Sequence, residues 1–205
     1  MTDPQSMADH WWWRPGWSPG RRFLTWHLTF DGQDQVHRLA ADWRGYLGRL
    51  PDLDLIPDRW LHLTMQGLGF VDEVKPEELD AIVEIARARL SLVPAFEVTI
   101  DRPAVTPEAI RWEAEPGEPV AAVRDAIRTA IGEVWAEVPE ARDGFGPHVS
   151  IAYSCGAGPI GPVVEAVNAA PSAPTAARIA SAELILMGRD NRMYEWETVA
   201  SVPLG

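Results

Sequence analysis

His62-Leu63-Thr64-Met65 and His148-Val149-Ser150-Ile151 repeat one pattern, His-x-Thr/Ser followed by an apolar residue. Each lies in an alternating run, residues 60–70 and 147–154, of the kind that forms a half-buried strand. Residues i and i+2 of a strand share a face. Each string therefore sets an imidazole beside a hydroxyl on one surface and leaves Leu63, Met65, Val149 and Ile151 for the core. Two such pairs facing each other across a cleft supply two proton-transfer groups and two hydroxyl donors. That set suits the cleavage of a phosphate ester without a metal.

Outward from the two strings, the chain repeats an order of elements. Alternation predicts a strand over 22–30. Helical spacing of Val36, Leu39, Trp43 and Leu47 predicts a helix over 35–50. The first His strand follows. A helix then opens at Pro76 with Glu77 and Glu78 in its first turn, which suits a helix N-terminus, and a strand covers 95–101. A second series follows: strand 109–114, helix 119–138, the second His strand, helix 162–170 and strand 178–187. A closing strand, 194–203, returns across the Asp190-Asn191 turn. The two histidines are separated by 148 − 62 = 86 residues, and the same offset relates Trp26 to Trp112, Thr64 to Ser150, Pro76 to Pro162 and Glu97 to Glu183. This register predicts an internal duplication, with halves at about 22–101 and 109–188, that pairs the two His strands by a pseudo-two-fold. Residues 21–205 are expected to form one bilobal domain.

Residues 1–20 stand outside the repeat. Pro and Gly forbid a long regular element there, and Trp11, Trp12, Trp13 and Trp17 are costly to leave in water. An irregular arm packed on the body is expected, with a lid that stacks on a nucleobase as the alternative.

Composition bounds the partners. The 205 residues are 46% hydrophobic and 23% charged, as in an ordinary globular protein. A net charge of −12 works against tracking along a nucleic acid, whereas a small or terminal phosphate in a local Arg pocket remains compatible. Cys155 is the sole cysteine, so no intramolecular disulfide can form. A buried, inert thiol in a reducing cytoplasm is expected. No apolar run is long enough to span a membrane, and the N-terminus lacks the basic-then-apolar order of a signal peptide. A monomer is expected.

Three of the five histidines remain to be placed. His27-Leu28-Thr29 also fits the His-x-Thr form, but at the 86-residue offset it meets Glu113 and Glu115. His27 is therefore read as a sheet-surface or cleft-edge residue and a minor candidate for touching substrate. His10 and His37 are read as solvated or capping. Strand alternation adds Gln66 to the face of His62 and Thr64, as a candidate ribose or phosphate contact, and turns Tyr153 away from it.

These motifs, the duplicated order and the closing stretch Met187-Gly188-Arg189 through Tyr194-Glu195-Trp196 resemble the 2H phosphoesterase superfamily. Within it the chain is similar to the bacterial 2′-5′ RNA ligase-like and cyclic phosphodiesterase branch. The resemblance covers about 22–203. It implies a bilobal α+β fold with two antiparallel sheets flanking a central cleft and helices outside. It also implies metal-independent and cofactor-free attack on 2′,3′-cyclic phosphates or related 2′-linked esters of RNA ends or small nucleotides. Ser150 stands where Thr is commoner in the family and keeps the hydroxyl. Arg189 sits at the hairpin end where the family often places a basic residue, a candidate to neutralise phosphate, with a solvated turn Arg as the alternative.

The chemistry also follows from the residues. Histidine titrates near pH 6.5 and can act as base or acid. In-line displacement at phosphorus needs a base on the attacking water and an acid on the leaving alkoxide. His62 and His148 fill these roles in either order, and reverse ligation exchanges them. Thr64 and Ser150 can donate to the equatorial phosphate oxygens. Three other readings compete: a metallohydrolase on His27, His62 and His148, which lacks an H-E-x-x-H or His/Asp cluster; a serine hydrolase, which lacks a G-x-S-x-G elbow; and a non-catalytic small-nucleotide binding module using the same cleft.

Overall fold

The structure is a computed structural model and describes residues 6–205. Residues 1–5 of the expected arm lie outside the described residues. In chain order the elements are β1 (Ser6–Met7), β2 (Phe23–Thr29), α1 (Asp34–Leu47), β3 (Leu53–Leu55), a 3-10 turn (Asp58–Trp60), β4 (His62–Phe70), α2 (Pro76–Leu90), β5 (Phe96–Ile100), β6 (Ala104–Val105) and β7 (Ala109–Glu113). They continue as α3 (Gly117–Val134), β8 (His148–Ser154), β9 (Gly158–Pro159), α4 (Gly161–Ala169), β10 (Thr175–Ile179), β11 (Ser181–Gly188) and β12 (Glu195–Pro203).

The helices form where the apolar period demands. In α1, Val36, Leu39, Ala40, Trp43 and Leu47 are buried on one stripe. Helix α2 starts with Pro76, carries Glu77 and Glu78 in its first turn and ends with Arg87 and Arg89, so both ends match the helix dipole. It packs on α3, the longest helix.

The fold is α+β, and its strands pair antiparallel. The main sheet has the order β12-β11-β2-β4-β8-β7-β6, with β3 on β8. The two sheets expected from the resemblance are thus joined into one path at a single residue pair, Leu63 opposite Val149. Strands β5 and β10 form a second sheet, and β1 with β9 a third. The strand expected over 178–187 is two strands. It breaks at Ala180, so that β10 pairs with β5 while β11 enters the main sheet between β12 and β2.

Both His strands carry an irregularity just beyond the motif. Against β2, His27 faces Thr64 but Trp26 faces Gln66, so Met65 is an extra residue. Against β7, Arg111 faces Ser150 but Ile110 faces Ala152, so Ile151 is an extra residue. A bulge of this kind shifts the alternation by one, and later side chains change face. The register also corrects one correspondence. The residue opposite Ser150, as His27 is opposite Thr64, is Arg111 and not Glu113. The connection through α3 is longer by two residues (150 − 111 against 64 − 27), and that difference moves the partner along β7.

Candidate active site

A cleft of about 540 Å³ opens over the junction of β4 and β8 and brings His62, Thr64, His148 and Ser150 together. The two histidines are held alike. Each is the first residue of its strand, and each places Nδ1 2.8 Å from the carbonyl oxygen two residues back, that of Trp60 for His62 and Gly146 for His148. A carbonyl only accepts, so Nδ1 carries the proton. Nε2 is left as the basic nitrogen of both rings.

Burial sets their charge. Desolvation pushes His62 down to about 4, with a smaller push from His148 and an opposing pull from the Trp60 carbonyl. His148 is half-buried and is also lowered, first by burial and then by the Arg111 guanidinium, against the Gly146 carbonyl. Both rings are therefore neutral near pH 7 and competent as bases. An anionic ligand would favour the protonated form that an acid needs.

Two cleft residues were undervalued by the sequence. His27 is fully buried and lines the cleft, its ring parallel to His62 at 4.3 Å between centroids. Burial and the neighbouring His62 hold it well below the usual histidine range. Arg111 stands opposite Ser150 on the cleft face. Its Nε is buried without a hydrogen-bond partner. Arg14, the other cleft arginine, is paired with Glu108 at 2.6 Å. A lone cation in the apolar run Ala109-Ile110-Arg111-Trp112 is the signal that marks Arg111 in the sequence.

Gln66 and Tyr153 exchange the places expected of them, because each lies past a bulge. Gln66 is fully buried on the face of Trp26. Its amide donates to the Pro139 carbonyl at 2.7 Å and accepts from Arg128 at 2.6 Å, so it supports the 139–142 loop and does not line the cleft. Gly67 takes the cleft face opposite Thr25. Tyr153, expected to face away, lines the cleft opposite Ala109 and stacks on His10 at 4.2 Å. His10 is correspondingly buried, not solvated. It is pushed down to about 4, chiefly by burial, and contacts the Tyr194 hydroxyl at 3.0 Å.

Arg189 neither lines the cleft nor sits in solvent. It is 4% exposed, donates to the His10 carbonyl at 3.1 Å and lies 5.4–5.9 Å from the rings of Trp11, Trp13, Trp17 and Tyr194. The Trp-rich arm closes around it. Trp11 Nε1 donates to Asp54 at 2.8 Å, and β1 pairs with β9, so the arm packs on the body. His10, Arg14 and Trp17 of the arm wall one side of the cleft. Cys155 lies outside it, half-buried and free, its thiol raised by burial. Among the described residues no three His, Cys, Asp or Glu side chains converge as metal ligands, and no helix is long and apolar enough to cross a membrane.

Two imidazoles of one tautomer, two hydroxyls and the Arg111 guanidinium thus surround one cleft. Residues 32–191 match the 2'-5' RNA ligase superfamily, and the chain belongs to that family of 2H phosphoesterases. The fold is shared with TT0787 of Thermus thermophilus, at a TM-score of 0.70 and 17% identity over 89% of this chain and 97% of that one. It is shared also with E. coli LigT complexed with 3'-AMP, at 0.64 and 14% over 90% and 98%. A further structure described as a phosphoesterase matches at 0.66 and 16% over 89% and 98%. No curated protein matches the chain significantly in sequence.

Proposed function

We propose that the protein is a metal-independent phosphodiesterase that hydrolyses 2′,3′-cyclic phosphates or related 2′-linked phosphodiesters of RNA ends or small nucleotides. The same groups run in reverse would serve 2′-5′ ligation. The observation that carries the reading is the matched pair of imidazoles, each with Nδ1 tied to a backbone carbonyl and Nε2 left for the cleft. One ring takes the proton of the attacking water and the other returns a proton to the leaving ribose oxygen. Thr64, Ser150 and Arg111 meet the phosphoryl oxygens, where charge gathers in the transition state. Small nucleotides are favoured over long RNA by the charge of −12. LigT, of the same fold, has been seen with 3'-AMP and with ATP, which supports the same ligand class. One free cysteine suits a reducing, cytoplasmic setting.

The test is turnover of 2′,3′-cyclic nucleotides by chelator-treated enzyme. His62→Ala and His148→Ala are each expected to lose at least about 10²-fold. Full activity in either variant sinks the two-histidine mechanism, and loss of wild-type activity on chelation favours a metal. Tight binding of the cyclic nucleotide without turnover would instead support a non-catalytic nucleotide-binding module.

A further inference from the structure

His27 is the strand histidine to which the mechanism above gives no task. It lies within β2, opposite Thr64, and is wholly shielded from solvent. Its ring lies at 6° to that of His62, and Trp196 packs edge-on beside both rings, 5.5 Å from His27 and 5.3 Å from His62 between centroids. The two ring nitrogens differ sharply in surroundings. Nε2 is 3.4 Å from Thr64 Oγ1, whereas Nδ1 is buried with no hydrogen-bond partner among the described residues.

That contrast places the proton. A buried N–H with nothing to accept it is among the rarest defects in folded proteins, and a bare acceptor is tolerated better. The neutral ring therefore carries its hydrogen on Nε2 and donates it to Thr64 Oγ1. The opposite tautomer would make Thr64 spend its own hydrogen on His27. With His27 as donor, the Thr64 hydroxyl hydrogen is released toward the cleft, and the accepted bond polarises it. At 3.4 Å the bond is long, and a bound phosphate is expected to shorten it. The other half of the site is built differently, since Ser150 has the permanent charge of Arg111 at the corresponding place.

We propose that His27 is a positioning residue: it donates Nε2–H to Thr64 Oγ1, turns the threonine hydroxyl hydrogen toward the phosphoryl oxygen, and holds the His62 ring flat by stacking. The inference rests on the phosphoesterase reading above. It makes the effect of His27 depend on the hydroxyl of Thr64, which a merely structural role would not.

A double-mutant cycle reads that dependence. His27→Phe keeps a stacking ring without the donor, and Thr64→Val keeps shape without the hydroxyl. Each is expected to lower kcat at least about tenfold with KM changed by less than about threefold. The double variant is expected to be no slower than Thr64→Val, and His27→Gln, whose amide can donate, to recover part of the loss. A double variant slower by the product of the single losses, about 100-fold, overturns the proposal. So does wild-type kcat in His27→Phe. The same proteins are titrated with inorganic phosphate by calorimetry. Non-additive weakening of phosphate binding without turnover of any cyclic nucleotide keeps His27 in this role and sinks the phosphodiesterase reading. Turnover with multiplicative losses does the reverse. Neither turnover nor phosphate binding by the wild type sinks both.

Discussion

His62 and His148 are chemically alike but not identically placed. The carbonyls of Trp60 and Gly146 give both rings the same tautomer, while their neighbours differ: the neutral His27 ring stacks on His62, and the Arg111 guanidinium faces His148. Under the proposed mechanism Arg111 therefore has two separable effects, one on the phosphate and one on a histidine. Replacing it with Met removes the cleft cation that has no carboxylate partner among the described residues, and kcat/KM for a cyclic nucleotide is expected to fall about 10- to 100-fold. Lys restores charge but not a planar fork, so Arg111→Lys should fall between the two. Because the guanidinium lowers His148, its removal should raise that titration toward the ordinary value. An NMR titration of the His148 ring in Arg111→Met that stays at or below the wild-type midpoint would contradict this.

At the scale of elements, the informative features are the bulges at Met65 and Ile151. They keep Thr64 and Ser150 on the cleft face, then turn Gln66 into the core and Tyr153 into the cleft. Helix α3 reaches across to fix the first of them. Arg124, 6% exposed, donates Nε to the Met65 carbonyl at 2.8 Å and its other nitrogens to Arg142 and Ala141 carbonyls at 2.8 and 2.9 Å. Arg124→Met leaves three acceptors unpaired. A loss of about 3 kcal/mol in denaturant unfolding is expected, and turnover should fall with it because the bulge orients Thr64. Unchanged stability would show that the carbonyls find water instead. The bulges also mark where sequence reading stops. Strand and helix positions, the two motifs and their pairing at one cleft were legible, because hydrophobic period and residue chemistry are local. A bulge is an extra residue visible only against its partner strand, so alternation was carried past Thr64 and Ser150 with the wrong sign. Arg111 as the counterpart of His27 was hidden likewise, because a two-residue difference in the α3 connection leaves no mark on either strand. The break at Ala180 was missed since residues 178–187 are apolar enough to read as one strand.

For the molecule as a whole, the buried histidines couple stability to pH. His10 and His62 are held down to about 4, and His27 is lowered as well. A lowered folded-state value means that the unfolded chain binds the proton more readily. Stability is then fully present above about 6.5 and is lost as pH falls from there toward 4. At pH 5 the cost is roughly 2 kcal/mol each for His10 and His62. Thermal melts should drop steeply between pH 6.5 and 5, and less steeply in His10→Gln; a flat profile over that window would contradict the buried, neutral state. The strand order β2-β4-β8-β7 is centred on Leu63 and Val149, which are themselves 149 − 63 = 86 residues apart, and this supports reading the chain as a duplication. The same contact has a metrical consequence. His62 and His148 each directly precede a member of that pair, so the spacing between the two imidazoles is gauged by where one buried leucine seats against one buried valine. A strand advances about 3.4 Å per residue, and a slip of two residues there would part the imidazoles by about 7 Å. The distance between the two cleft imidazoles is thus calibrated by two side chains that carry no polar atom.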